Sequence, residues 1–260
     1  MKIYIMTDME GISGIRCQEQ VMSDSPLYAH GRRLLSADTN AAICGAFDGG
    51  ATEVVVNDGH GGGPHFLLEE MDPRALYERP AGGLNYMPSL DESFAGLFIV
   101  GAHAMAGTLN AFLDHTQSSA SWYNYYQNGR KTGEMGQCGA WAGHFGVPTL
   151  LVAGDKAACE EALAFFGEIE TVAVKQATGR QQARCVHPAR SQQQIREAAR
   201  RAMSLVGKVQ PYRVEVPLTI RLELYRSDMA DGPAQRPGTR RLDARTIERT
   251  VPNALEMLSF

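Results

Sequence analysis

Apolar residues fall in short runs that recur along the chain and alternate with helix-like stretches. KIYIMT at 2–7, TEVVVND at 52–58, GLFIVGAH at 96–103, PTLLVAGD at 148–155 and TVAVKQ at 171–176 are short and mostly rich in β-branched residues. Runs of this length and makeup predict buried strands. Between the first two lies LYAHGRRLLSADTNAAICGAFDGG at 27–50, with apolar positions at Leu34, Leu35, Ala41, Ala42, Ile43 and Phe47. That spacing is helical, and Gly49-Gly50 supplies a stop. KAACEEALAFFG at 156–167 predicts a second helix. Strand–helix alternation of this kind predicts an α/β, three-layer fold with a largely parallel central sheet.

Two regions break the rhythm. SWYNYYQNGRKTGE at 121–134 is aromatic and then turns at Asn128-Gly129, a hairpin signal. After residue 187 come a polar helix, SQQQIREAARRAMSLVG, and YRVEVPLTIRLELY at 212–225. In the latter Val214, Val216, Leu218, Ile220, Leu222 and Leu224 alternate with other residues, so one face of an antiparallel-type strand is buried. Pro217 within it predicts an edge or a bulge. The expected division is a metal-binding catalytic α/β domain over 1–187 and a smaller C-terminal α+β subdomain over 188–260.

Composition narrows the class without changing this picture. The 260 residues are 44% hydrophobic with a net charge of −4, which leaves no basic footprint for nucleic acid or an anionic membrane. Cysteines 17, 44, 138, 159 and 185 form no C-x-x-C pair and predict reduced thiols. MKIYIMTD runs directly into a strand and has no signal-peptide pattern. No apolar run reaches the length of a membrane span, so the expected location is cytoplasmic.

The chemistry-bearing residues cluster at strand ends. TDMEGISG puts Asp8 and Glu10 two positions apart after the first strand, where strand alternation points them the same way. His60 follows the second strand and His103 ends the third. Sites in open α/β sheets assemble outside these carboxyl ends. Glu134 follows the hairpin and opens a further helix, GEMGQCGAWAGHFG. Any one of these side chains alone reads as a turn cap or a loop histidine. Together they form an oxygen and nitrogen donor set suited to zinc, manganese or cobalt. Five donors exceed one open catalytic zinc and suit two metals bridged by a carboxylate, about 3.5–4 Å apart. Asp8, short and deep along its strand, is the natural bridge.

The remaining histidines divide by context. His115 in FLDHTQSSAS is a further candidate, and otherwise a loop histidine beside hydroxyls. His65 reads as a loop or channel residue, and His30, His144 and His187 as structural. Arg196, Arg200 and Arg201 read as a solvated helix face. HGGG at 60–63 suggests an esterase oxyanion loop, but no G-x-S-x-G elbow accompanies it. Walker A, G-x-G-x-x-G after a strand, and H-E-x-x-H are all missing.

These residues bring a family into view. TDMEGISG, EVVVNDGHG at 53–61, GLFIVGAHAMAGT at 96–108, DHTQSS at 114–119 and GRKTGEMGQCGAWAGHFGVPTLLVAGD at 129–155 resemble the D-aminopeptidases of the DppA type, the M55 metallopeptidases. VAVKQATGRQQARCVHP at 172–188 extends the resemblance, which is looser beyond residue 190. It implies two zinc ions per chain, one on Asp8, Glu10 and His60 and the other on Asp8, His103 and Glu134. It implies that His115 is catalytic, as base, oxyanion donor or proton donor to the leaving amine. It also implies hydrolysis of the N-terminal bond of short peptides beginning with a D-residue, D-Ala-type, in a ring-shaped homodecamer. Two alternatives stand beside it: a metal-dependent hydrolase of other amides or L-peptides, or a non-catalytic relative that binds peptide or metal.

Overall fold

The computed structural model describes residues 1–80 and 85–260. In chain order the elements are β1 (Lys2–Thr7), α1 (Tyr28–Asp48), β2 (Glu53–Asp58), β3 (Leu76–Glu78), β4 (Phe94–Ala102), β5 (Trp122–Gln127) and β6 (Arg130–Lys131). They continue with α2 (Glu134–His144), β7 (Thr149–Asp155), α3 (Lys156–Phe166), β8 (Glu170–Gly179), β9 (Gln182–Cys185), α4 (Pro188–Ala202), β10 (Leu218–Leu224), β11 (Thr239–Arg241) and β12 (Thr246–Val251).

The main sheet has the order β3-β2-β1-β4-β7-β8-β9, parallel throughout except for β9, which folds back antiparallel on β8. Its inner strands β1, β2, β4 and β7 are buried on both faces, which is why they read as continuous apolar runs. Alternation along β1 serves two cores: Ile3 and Ile5 join one, Tyr4 and Met6 the other. The first core holds residues of α1 and α4, such as Ile43 and Ile195. The second holds residues of α2 and α3, such as Trp141 and Phe165. The three-layer, largely parallel α/β expectation describes this arrangement.

β1 leads to β2 on one side, and the chain later returns through β4 on the other. This reversal makes a topological switch point at the carboxyl end of β1, where a crevice opens.

The second sheet, β11-β12-β10-β5-β6, is antiparallel. Asn128 and Gly129 join β5 to β6 with φ of 47° and 80°, the left-handed pair that a type I′ hairpin needs. One expectation changes here. The alternating strand is Leu218–Leu224, not 212–225, and it is central, with β12 on one side and β5 on the other. Pro217 lies just before it, where its missing N–H costs the ladder nothing. α4 returns to pack on α1 and β8, while β5 and β6, from the middle of the chain, complete the C-terminal sheet. The apolar face of α4, Ile195, Ala198, Ala199 and Ala202, is fully buried in the core that it shares with α1 and the parallel sheet.

Candidate metal centre

The crevice gathers side chains from several elements. Asp8 directly follows β1 and Glu10 lies two residues on; His60 lies just past β2, His103 just past β4, and Glu134 is the first residue of α2. The ends of β1 and β4 interlock to bring the first of these together. Gly11 N–H donates to Gly101 O at 2.8 Å, and Asp8 N–H to Val100 O at 2.9 Å. A Cβ on Gly11 would stand 2.1 Å from the Ala102 carbonyl oxygen, and one on Gly101 would stand 1.9 Å from the Asp8 carbonyl oxygen. Only glycine permits so close an approach.

The five predicted side chains meet here. Asp8 Oδ1 lies 2.9 Å from His60 Nδ1, and Asp8 Oδ2 lies 3.1 Å from His103 Nε2. Glu10 Oε2 is 3.1 Å from His60 Nδ1, and Glu134 Oε1 is 3.4 Å from His103 Nε2. Asp8 thus turns one oxygen to each imidazole, and each imidazole has a second carboxylate of its own. Donors sharing a tetrahedral zinc at about 2.0–2.1 Å sit roughly 3.3 Å apart. All four separations fall close to that value.

The hydrogen bonding also leaves a place for a cation. His60 Nε2 lies 3.2 Å from Val21 O, and His103 Nδ1 lies 3.1 Å from Ala104 O. Each carbonyl accepts the proton of the nitrogen facing it, which turns the other nitrogen, as a lone pair, toward carboxylate oxygens. Glu10 Oε2 and His103 Nε2 are buried and make no hydrogen bond of acceptable geometry with any described residue, despite these short separations. Acceptors facing acceptors in a buried site suit a divalent ion, and the donor types agree.

Electrostatics point the same way. Where no cation is held, burial opposes charge on Asp8, but His103 and His60, each carrying a second ring proton in place of the ion, outweigh it and hold the carboxyl well below the usual range. Glu134 is held down at about 2, since His103 and His115 outweigh its burial. Burial likewise opposes protonation of His60 and His103, yet Glu10 and Asp8 raise the first, and Glu134 and Asp8 the second, well above the ordinary value. The site therefore attracts positive charge strongly, whether protons or a metal.

His115 stands at the edge of this group, where its ring offers a nitrogen within 4.8 Å of ligand atoms of His103 and Glu134. Its ring stacks on His103 with centroids 4.0 Å apart, and its Nε2 is 3.7 Å from Glu134 Oε1. Its Nδ1 donates to Leu113 O at 2.8 Å, which leaves Nε2 free to face the site. His65 is a loop residue and does not line the cleft. It is buried behind the His60 loop, where its Nε2 meets His60 O and its backbone N–H donates to Asp58 Oδ2. His30, His144 and His187 are exposed, and His187 caps α4.

Sequence reasoning missed the supports. Lys175 is 2% exposed, and its Nζ donates to Glu10 O at 2.5 Å and Ile15 O at 2.7 Å. Burial lowers its ammonium to about 8. Lysine in the apolar run TVAVKQ was a visible signal; the β7–β8 pairing shifts register where Lys175 meets Asp155, and Val174 and Lys175 are buried in succession there. The carbonyls of Val21, Ala104 and Leu113 carried no signal, because every residue has one. Asp8, Glu10, His60, His115 and Glu134 open into a cleft of about 830 Å³, whose walls include Tyr86, Gln117, Ser118 and Arg180.

The peptidase M55 family model, described as D-aminopeptidase, matches residues 1–260. A D-aminopeptidase of Bacillus subtilis (strain 168) is 32% identical over 240 residues, covering 92% of this chain and 87% of that protein. The solved structure of a Zn-dependent D-aminopeptidase, DppA from Bacillus subtilis, described as a self-compartmentalizing protease, superimposes with a TM-score of 0.95. It is 31% identical, and the match covers all of this chain and 94% of that one. The chain belongs to the peptidase M55, D-aminopeptidase family.

Proposed function

We propose that the chain is a zinc aminopeptidase that holds two ions, one on Asp8, Glu10 and His60 and one on Asp8, His103 and Glu134, and removes a D-residue from the amino end of short peptides. The observation that carries this reading is the carboxylate of Asp8, which turns Oδ1 to His60 and Oδ2 to His103. One acid shared between two donor sets is the arrangement a paired centre needs. The zinc dependence and D-residue specificity of the relatives support the choice of ion and substrate.

Ions held there supply Lewis acidity and lower the pKa of water. The rest falls to the chain. The carbonyls of Val21 and Ala104 fix the imidazoles of His60 and His103, so the ligand geometry is set before substrate arrives. Gln117 N–H donates to Glu134 Oε1 at 2.7 Å and holds that carboxylate in place. His115, anchored through Nδ1, takes a proton at Nε2 from the attacking water and returns it to the leaving amine. Assembly of several copies around an enclosed space, as the relative's description indicates for that protein, would restrict entry to short peptides.

Metal analysis of purified protein tests the centre: about two zinc ions per chain are expected, and chelation should abolish activity. Less than one tightly bound ion, with activity untouched by chelators, would sink the reading. A panel of D- and L-alanyl dipeptides tests the substrate, and preferred cleavage of the L-peptides would retire D-specificity.

A further inference from the structure

We propose that Arg180 binds the free C-terminal carboxylate of the peptide substrate, so that the cleft reads a short peptide from both ends. The inference rests on the peptidase reading above and adds to it the substrate's other end.

The cleft carries charge of both signs. Asp8, Glu10 and Glu134 line it together, while Arg180, tied to the 113–114 stretch, is the only lysine or arginine among the described residues that line it. A peptide with free termini has the matching polarity, its amine lying toward the acids and its carboxylate away from them. Arg180 sits in the turn between β8 and β9, and three contacts tie it to the loop that carries His115. Its carbonyl accepts from Leu113 N–H at 2.7 Å, its Nη2 donates to Asp114 O at 3.0 Å, and its Nε lies 3.1 Å from Asp114 Oδ1. Asp114 is itself held, since its Oδ2 accepts from Gly107 N–H at 2.6 Å.

A guanidinium has five N–H donors in a rigid fork. Two face Asp114, which leaves both on Nη1 and one on Nη2. The side chain is 48% exposed, so these are open to a ligand. A planar fork already fixed on one edge loses little freedom on accepting a carboxylate at the other. The same contacts link Arg180 to His115 through Leu113, whose carbonyl accepts from His115 Nδ1. Carboxylate capture is thereby mechanically continuous with the group proposed to move the proton.

The test compares metal-loaded wild type, Arg180→Gln and Arg180→Lys on a D-alanyl dipeptide and on its C-terminal amide. Wild type should favour the free acid. Arg180→Gln should lose about ten- to a hundredfold in kcat/KM on the acid, chiefly through KM, as expected for loss of a charged hydrogen bond. On the amide it should change little, and Arg180→Lys should recover part of the preference for the acid. If wild type cleaves acid and amide equally, or if Arg180→Gln slows both alike, Arg180 serves only to hold the His115 loop and the proposal is overturned. Should the Gln variant not fold, the wild-type ratio and the Lys variant still decide. Failure of wild type to cleave either compound would overturn the peptidase reading itself, and this inference with it.

Discussion

The His60 and His103 sides of the centre use the same kinds of donor but are built differently. On the His60 side both acids, Asp8 and Glu10, come from one short stretch after β1, and the imidazole is 17% exposed to the cleft. On the His103 side the imidazole is 2% exposed, its second acid comes from the distant N-terminus of α2, and His115 covers it face to face. The first side is local in sequence and open; the second is assembled across the fold and sealed. An open side built on one loop can exchange its ligand and adjust, whereas a sealed side holds its charge in a drier and less screened environment. The difference teaches that the proposed pair is not symmetric, and substitutions on each side should show it.

Asp8 belongs to both sides, so Asp8→Asn should have the largest effect. Metal content is expected to fall from about two ions per chain toward none, and kcat to fall by at least about a thousandfold. Retention of either ion at wild-type affinity would separate the two sides completely. His115→Ala comes next: kcat should drop by about 10²–10⁴ with metal content unchanged, since general acid–base groups contribute on that scale. Loss of an ion in this variant would make His115 a ligand instead.

Glu10→Gln should weaken one ion only. Stoichiometry measured at limiting zinc should fall toward one per chain, with the remaining ion on the buried His103 side. Lys175→Met acts on the His60 side, because Lys175 holds the Glu10 and Ile15 carbonyls. Affinity for one ion should fall by about ten- to a hundredfold, the usual scale for an outer support of a metal site.

The smallest effect concerns Asp38, which accepts hydrogen bonds from Ser13 N–H and Oγ at 2.8 and 2.7 Å and so props the loop on the His60 side. Burial raises its carboxyl from 3.8 to about 6. The folded chain therefore holds the proton more tightly than the unfolded one. The resulting stabilisation is complete below pH 3.8 and is lost as pH rises through about 6. Asp38→Asn should flatten this part of the stability curve, measured by thermal unfolding of metal-free protein between pH 4 and 7. A curve parallel to wild type would remove Asp38 from the account.

Much of this was legible in the residues. KIYIMT, TEVVVND and GLFIVGAH announced strands because burial on both faces demands apolar residues at every position, and the order of elements implied a parallel sheet. The same logic placed Asp8, Glu10, His60 and His103 at strand ends. The extent of β10 was misread because Val214 and Val216 continue its alternation, while the proline that ends the pairing contributes only a missing N–H. The packing of α4 was not legible, because a polar helix and an alternating strand look alike whether they form a separate body or return to the first.

By itself, then, the sequence determined which stretches are strands, the types of donor at their ends, and the family. Those properties depend on local periodicity and residue chemistry, which a linear chain displays. Tertiary structure alone decided that Asp8 turns an oxygen to each of two histidines, that Val21, Ala104 and Leu113 supply the orienting carbonyls, and that Lys175 and Arg180 stand beneath and beside the cleft. Each of these depends on a close approach between segments far apart in the chain. Such approaches are set by packing, as where Gly11 and Gly101 let two strand ends interlock, and no local pattern encodes them.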